Sequence, residues 1–316
     1  MKRLAVILAL SIAASATAQN FPSRPIRMMV PAAPGGVTDI AARVLTPRLT
    51  EALGQAIVVD NRAGAGGIIG TDIVAKAAPD GHTLITAFDS FVSNPFVFKK
   101  VPYDTLKDFA PVALLIRGPQ IFVATPKLGV KSFNEFVALA KARPGSIRYA
   151  TAGPATSSRL SVELFKSISK LDGSTIFFKG GGPALNDLLG GHVDVMIASA
   201  GLVLNHVKSG RLLALAVSSK NRTALAPGVP SISEFYPQFE AQSWVGMLAP
   251  AATPRAIIQR LNTEVNKVLA EAEIKERFNG LGYEIADASP GQFGEWLRTE
   301  SVKWGQVIRD NNITAE

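Results

Sequence analysis

The sequence predicts an α/β protein that consists of two lobes. Short apolar runs of strand length alternate with stretches in which apolar residues recur at the helical period. This alternation is present in the first part of the chain and resumes after position 120. A chain of 316 residues, of which 47% are hydrophobic, is about twice the usual domain size and can bury two moderate cores. Two successive β/α sets in such a chain therefore indicate two α/β lobes.

The individual elements follow from the same two patterns. A buried strand at 26–30 ends at Pro31, and the next stretch carries Ile40, Val44 and Leu49 at helical spacing. The first set is predicted to contain strands at 26–30, 56–60 and 83–86 and helices at 38–53 and about 68–77. The second set is predicted to contain strands at 121–124, 147–150, 174–178, 193–197 and 212–217, helices at 133–142, 158–168 and 183–189, and one more helix before the last strand. The C-terminal part is predicted to be mostly helical, with long amphipathic stretches at 255–269 and 290–310.

The chain opens with the layout of a secretory signal peptide. Lys2 and Arg3 precede an apolar stretch that ends in Ala16-Thr17-Ala18, so residues 1–18 are expected to be removed after Ala18. The apolar stretch is shorter than the roughly 20 residues that span a bilayer, which argues against a membrane anchor. No cysteine stands at the cleavage site to carry a lipid. The mature protein is therefore expected to be soluble and periplasmic.

The composition argues against several classes of site. Cysteine is absent from the whole sequence, so neither disulfides nor thiolate metal ligands are available. The three histidines, His82, His192 and His206, lack metal-ligand spacing, and the Gly-x-Ser-x-Gly turn of hydrolases is absent. The sequence therefore predicts no metal site and no catalytic residues.

The charge is modest and dispersed. Lys and Arg number 33 against 25 Asp and Glu, which gives a formal net charge of +8. The longest basic runs are pairs such as Lys99-Lys100, whereas a nucleic-acid-binding chain usually clusters its basic residues. The surplus favours encounters with anions, and no nucleic-acid partner is expected.

Glycine-rich turns stand where predicted strands hand over to helices. In the turn 31–39, Pro34 fixes φ, and Gly35-Gly36 allows close backbone approach just before a helix whose N-terminal amides are unsatisfied. Asp39 lies in the first helical turn, where a carboxylate suits the helix dipole. This loop is a candidate anion site. The alternative is a plain strand–helix turn that binds nothing.

Two further glycine-rich loops follow the same pattern. The loop 61–70 imitates the dinucleotide-binding Gly-x-Gly-x-x-Gly turn, but its third glycine falls one residue late, so no cofactor is expected. The loop 179–184 has three glycines that expose backbone amides and Pro183 at the predicted first helical position. The segment 150–158, which precedes another helix, is rich in hydroxyls and small side chains. Helix N-termini from both lobes are thus available to hold one anion.

An ordered set of short segments carries a family resemblance. The segments are Pro34-Gly-Gly-Val-Thr-Asp39, Val59-Asp-Asn-Arg-Ala-Gly-Ala-Gly-Gly67, Asn94-Pro95, Val101-Pro-Tyr-Asp104, Lys107-Asp-Phe-Ala-Pro-Val112, Lys179-Gly-Gly-Gly-Pro-Ala-Leu-Asn-Asp-Leu-Leu-Gly-Gly191, Ser243-Trp-Val-Gly246, Ala249-Pro250 and Thr253-Pro254. In this order they resemble the Bug-type receptors of tripartite tricarboxylate transporters, which are periplasmic solute-binding proteins. The likeness covers essentially the whole chain from Phe21 onward.

The resemblance implies a type II periplasmic-binding-protein (Venus-flytrap) fold with a ligand cleft between two α/β lobes. Lobe one would comprise 19–121 plus 242–316, and lobe two 122–241, with 244–250 as the return crossing. It implies a small carboxylate-bearing ligand, permease subunits of a tripartite transporter as partners, a monomer, no cofactor and no enzymatic conversion. An exported hydrolase that uses the same cleft, or a ligand-sensing receptor for a signalling partner, remains the alternative. The identity of the carboxylate does not follow from the sequence.

The resemblance also implies how the ligand is held. In such receptors a carboxylate is bound largely by backbone amides, hydroxyls and ordered waters rather than by an arginine. The ligand-binding residues implied here are Ala33, Pro34, Gly35, Gly36, Val37, Thr38, Asp39, Thr86, Phe88, Asp89, Ser90, Thr151, Gly153, Thr156, Ser157, Lys179, Gly180, Gly181, Gly182 and Pro183.

This chain departs from the family pattern at several positions near the implied cleft. Phe88 and Asp89 stand where relatives usually carry small hydroxyl residues, Arg159 replaces a histidine, and Ala198 replaces an acidic residue. If Phe88 and Asp89 face the cleft, Phe88 can stack on a ligand ring and Asp89 can accept from an amine or another donor. The alternative for each is placement on the surface or in the core.

Overall fold

The computed structural model describes residues 21–178 and 180–315. The predicted signal peptide 1–18 and Lys179 lie outside the described residues. The strands are β1 (Ile26–Val30), β2 (Ile57–Asn61), β3 (Thr83–Phe88), β4 (Phe109–Ala124), β5 (Arg148–Thr151), β6 (Ser174–Phe177), β7 (Val195–Ser199), β8 (Leu213–Val217), β9 (Gln242–Pro250) and β10 (Glu284–Ile285). The helices are α1 (Val37–Leu53), α2 (Ile68–Ala75), α3 (Ser90–Val97), α4 (Phe133–Ala142), α5 (Ser157–Ser169), α6 (Gly181–Gly190), α7 (Ala200–Lys208), α8 (Arg255–Ala270), α9 (Ala272–Gly280) and α10 (Pro290–Asp310).

The strands form two sheets that share the long strand β4. Its first part, Phe109 to Pro119, pairs antiparallel with β9, and its last part, Gln120 to Ala124, pairs antiparallel with β7. The first sheet has the order β2-β1-β3-β9-β4, with β10 on the far edge of β4. The second sheet continues through β4 to β7-β5-β6, with β8 on the far edge of β4. Each sheet is the centre of one lobe, and the chain crosses between them along β4.

Helices cover both faces of each sheet. Lobe one has α1 and α8 on one face and α2, α3 and α10 on the other. Lobe two has α4 and α5 on one face, where Phe122, Phe136 and Phe165 pack edge to face, and α6 and α7 on the other. One apolar cluster runs from Met29 in β1 through Trp244 to Phe122, so the two lobes share a continuous core on the side of α10.

Most predicted elements are present, and three, β1, α4 and α10, have the predicted bounds. The predicted strand 121–124 is only the end of β4, because Pro111 and the Gly118-Pro119 pair interrupt the strand pattern in the sequence while pairing to β9 continues past them. Helix α3 was not predicted. It contains Pro95 and is buried on almost every side, so its sequence shows no polar face at the helical period.

Candidate functional site

A cavity of about 270 Å³ opens between the two lobes. An adjoining cavity of about 460 Å³ shares part of the same wall, namely Gly36, Val37, Gly181, Ser199, Leu202 and Tyr283. Both are lined by the loops that follow the strands of the two sheets. Ligands of open α/β folds bind in crevices at the carboxyl ends of such strands, so this is the candidate binding site.

The start of α1 forms one wall. Gly36 is the residue before the first helical turn, and it has no side chain to cap the amides that follow; Val37 and Thr38 line the cavity. The N–H of Gly35 instead donates to Asp39 Oδ2 at 3.0 Å, inside the loop. The positive end of α1 therefore reaches the cavity through backbone that no side chain shields.

Asp39 holds this loop together from within. Its carboxylate accepts from Arg43 Nε at 3.0 Å and from Asn61 Nδ2 at 2.9 Å, besides the N–H of Gly35. Burial raises the pKa of Asp39, but the hydrogen bonds from Arg43, Gly35 and Asn61 outweigh it, so the pKa is lowered overall. Asp39 is thus an ionised structural group, and the charge of Arg43 is directed at it rather than at the cavity.

The start of α6 forms the facing wall. Gly180 has a φ of +118°, a conformation that favours glycine, and its N–H donates to the carbonyl of Ala152 at 3.0 Å. Gly180 and Gly181 line the cavity of about 270 Å³, and a Cβ at Gly182 would meet open space. Helix α6 begins at Gly181, so the prediction that Pro183 occupies the first helical position is wrong. Pro183 is the third helical residue, and because the N–H groups of the first turn have no acceptor within the helix, proline there removes no helical hydrogen bond.

Helix α5 contributes a third N-terminus. Thr156 caps it, with Oγ1 donating to the carbonyl of Gly153 at 2.9 Å and accepting from the N–H of Arg159. Ser157 lies at the first helical position and accepts from Gln120 Nε2 at 3.1 Å. Thr156 and Ser157 line the cavity, so lobe two presents hydroxyls beside the glycine amides.

Phe88 and Asp89 lie at the end of β3 and both line the cavity. Asp89 is 7% exposed. Its Oδ1 accepts the N–H of Trp244 at 2.9 Å, and its Oδ2 accepts the hydroxyl of Ser243 at 3.3 Å. Burial raises the pKa of Asp89 to about 6, although hydrogen bonds from Ser157, Trp244 and Ser243 oppose the rise. Among the described residues that line the cavity, Asp89 is the one carboxylate, and no lysine, arginine or histidine lies with it.

Eleven of the predicted residues are therefore brought together in the joined cavities. They are Gly35, Gly36, Val37, Thr38, Phe88, Asp89, Thr156, Ser157, Gly180, Gly181 and Gly182. Their role as ligand contacts stays a prediction.

Three predicted hydroxyl residues are instead engaged inside the protein. Thr86 donates to the carbonyl of Met29, Ser90 to that of Gly66, and Thr151 to that of Ile176. All three are almost fully buried. The other predicted residues outside these walls are Ala33, Pro34 and Pro183, which are exposed, Gly153, whose carbonyl accepts from Thr156, and Asp39. Lys179 lies outside the described residues, and Arg159 turns away to the carbonyls of Pro154 and Thr314.

The structure adds residues that the sequence did not single out. Ser199 ends β7 and Leu202 lies in the first turn of α7, at the same kind of strand–helix junction as the predicted loops, so that pattern could have found them. Ser243 and Tyr283 come from the C-terminal part, and no local pattern marks them. Tyr283 is almost fully buried, and burial raises the pKa of its phenol to about 12, so it is a neutral group in this wall.

The comparisons with known proteins agree over nearly the whole chain. The family described as tripartite tricarboxylate transporter family receptor matches residues 41–313. BugT of Bordetella pertussis (strain Tohama I) is 40% identical over 302 residues, which are 95% of this chain and 93% of BugT. The solved structure of R. palustris Rpa4515 with adipate has a TM-score of 0.85 and 31% identity and covers 93% of this chain and 99% of its own. MatC from Rhodopseudomonas palustris with bound malate has a TM-score of 0.80 and 32% identity and covers 91% and 100%. The predicted two-lobed fold is thereby confirmed.

Proposed function

The chain belongs to the tripartite tricarboxylate transporter family of receptors, and on that basis we propose that it captures a small organic carboxylate and delivers it to the membrane subunits of such a transporter. Members of this family are periplasmic solute-binding proteins. Adipate and malate are bound in the solved structures of two relatives. Carboxylates are therefore the ligand class to test first.

One observation carries the proposal: unshielded helix N-termini from both lobes meet in one cavity. Val37 and Thr38 begin α1, and Gly181 begins α6, on facing walls. Backbone amides at a helix N-terminus, together with the helix dipole, attract an anion without a cationic side chain. Thr156, the cap of α5, and Ser157, its first residue, line the cavity on the same side as α6, which adds the N-terminus of a third helix. A carboxylate between these walls would be held from two sides at once.

Closure of the lobes is the proposed signal to the transporter. We assign 19–121 and 242–316 to lobe one and 122–241 to lobe two, with β4 and β9 as the crossing segments. A ligand bound to α1 recruits the amides of α6, so it binds the closed arrangement better than the open one and shifts the population toward it. The receptor acts as a monomer and releases its ligand chemically unchanged. Recovery of a hydrolysed product from a bound ester would contradict this.

Export with removal of residues 1–18 places the receptor in the periplasm. Among the helices described in 21–178 and 180–315, none has the length and apolar character needed to cross a membrane.

A screen of carboxylates by thermal shift identifies the ligand class, because a ligand that binds only the folded state raises the melting temperature.

Substitution Gly36→Val is expected to weaken carboxylate binding by about 10- to 100-fold, which corresponds to the loss of one charge-assisted hydrogen bond. Gly36 has φ −74° and ψ 164°, which valine adopts readily, and a Cβ there would approach only the carbonyl of Ala33, at 3.6 Å. The fold is therefore retained while the branched side chain stands between the ligand and the amides of α1. Isothermal titration calorimetry measures the affinity.

Gly291→Val is the matched control. Gly291 is exposed in the first turn of α10, and a Cβ there would meet nothing within 4 Å. The control is expected to bind as the wild type does. Wild-type affinity in Gly36→Val would contradict the proposed anion site.

A further inference from the structure

Asp89 is a carboxylate in the wall of a cavity that is proposed to receive carboxylates. It lies at the junction of β3 and α3, and the cavity that it lines also contains Val37, Thr38 and Gly181 of the proposed anion site. The other described residues of this wall are neutral, and Phe88 and Tyr283 are among the large side chains. A ligand anchored at the helix N-termini therefore extends toward a negative group.

Among the described residues, Asp89 has hydrogen-bond donors but no cationic partner. Trp244 N–H and the Ser243 hydroxyl donate to it, and Ser157 interacts with it from lobe two. The hydroxyl of Ser157 accepts from Gln120 Nε2, so its own proton is free to point at the carboxylate. An ionised carboxylate has about four acceptor positions, so these three donors leave room for one more.

We infer that Asp89 selects a ligand that carries an amine at a distance from its carboxylate, and that it discriminates against dicarboxylates. This inference rests on the proposed function and names the ligand class for the same site. An ammonium group that reaches Asp89 gains a charge-assisted hydrogen bond in a place shielded from water. A second ligand carboxylate at the same place meets a like charge, and one of the two must take up a proton.

The test compares ligands that differ only at the far end. One series is ε-aminocaproate, adipate and caproate, and the other is γ-aminobutyrate, succinate and butyrate. The three ligands of a series have the same number of carbon atoms, and the far end carries an ammonium, a carboxylate or a methyl group. Calorimetry at pH 7.5 is carried out on the wild type, on Asp89→Asn and on Asp310→Asn. Asp310 is exposed at the end of α10 and is the matched control.

In the series that fits the cavity, the wild type and Asp310→Asn are expected to bind the amino acid about tenfold or more better than the dicarboxylate, as expected for attraction against repulsion at one buried charge. Asp89→Asn is expected to lose that preference and to bind the three ligands of the series with similar affinities, because an amide keeps the shape of the carboxyl group but not its charge. Melting temperatures measured alongside show that each variant is folded.

Three results would overturn the inference. The first is tighter binding of the dicarboxylate than of the amino acid by the wild type, which decides the matter even if Asp89→Asn does not fold. The second is an unchanged preference in folded Asp89→Asn, which would make Asp89 a purely structural link between β3 and β9. The third is binding of none of the six ligands, which would overturn the inference alone; the proposed function is contradicted only if the wider carboxylate screen also finds no ligand.

Discussion

Substitution Gly201→Ala is expected to lower ligand affinity by about 5- to 150-fold, because overpacking of about 1–3 kcal/mol would fall on the closed arrangement of the lobes. Gly201 is in the first turn of α7, and a Cβ there would lie 2.1 Å from the backbone carbonyl oxygen of Leu281. A backbone oxygen cannot turn aside as a side chain can. The two lobes would therefore have to separate at this point.

The surroundings of Leu281 offer little room for adjustment. A Cβ at Gly282 would lie 2.7 Å from the Cβ of Ala200, and a Cβ at Gly118 would lie 2.7 Å from the carbonyl oxygen of Gly282. The segment that carries Tyr283 is thus held between the crossing strand β4 and the start of α7. Opening of the lobes about the crossing segments β4 and β9 is the response that costs the least free energy, since it leaves the core of each lobe intact.

Calorimetry measures the affinity of Gly201→Ala, and small-angle scattering with saturating ligand measures its radius of gyration. The control is Gly280→Ala at the end of α9, where a Cβ would meet nothing within 4 Å. The control should bind and compact as the wild type does. Wild-type affinity and compaction in Gly201→Ala would show that this contact plays no part in closure.

Substitution Asp89→Asn is expected to raise the free energy of unfolding without ligand at pH 7.5 by on the order of 3 kcal/mol, and by much less at pH 4. The pKa of Asp89 is raised from 3.8 to about 6. An acid with a raised pKa in the folded state loses its proton first in the unfolded state, so its cost to stability is absent below pH 3.8, grows as the pH rises to about 6 and then stays constant. Each unit of pKa shift corresponds to about 1.36 kcal/mol.

The amide can keep most of the present contacts. Its oxygen accepts the N–H of Trp244, and its NH₂ group donates to the hydroxyls of Ser243 or Ser157, which accept as well as donate. Glu300, whose charge adds slightly to the raised pKa, stays in place. Urea unfolding at the two pH values measures the effect, with Asp310→Asn as the control. Equal destabilisation at both pH values would mean that the hydrogen bonds of the carboxylate outweigh the cost of burying its charge.

A stabilising Asp89→Asn would also bear on why the aspartate is there. A buried charge that lowers stability and can be removed by an isosteric change is typical of groups retained for function. The stability and the ligand preference of this variant are separate readouts, so a structural role and a role in specificity give different results.

The sequence predicted the elements that depend on local pattern. Helix α10 begins with Ser289 as its cap, and its side chain and that of Gln292 bond reciprocally to the backbone, so its start is encoded within four residues. The glycine loops before α1 and α6 were found in the same way, because a strand, a glycine turn and a helix are read over about ten residues. The ordered segments from Pro34 to Pro254 also predicted the family, and the match over 41–313 confirms it.

Only the tertiary structure decided which of these groups meet. Thr86, Ser90 and Thr151 look like ligand donors in the sequence. In the structure their strands and helix direct these side chains inward, where the hydroxyls donate to backbone carbonyls. Asp89 gains its raised pKa from burial, and the Ser243 and Trp244 donors that oppose the rise lie some 150 residues away in the chain, on β9, which pairs with β3. Local sequence fixes where a helix begins and leaves an amide open. Which of these amides and which buried charge face the same cavity depends on packing between residues far apart in the chain, such as the pairing of β9 with β3.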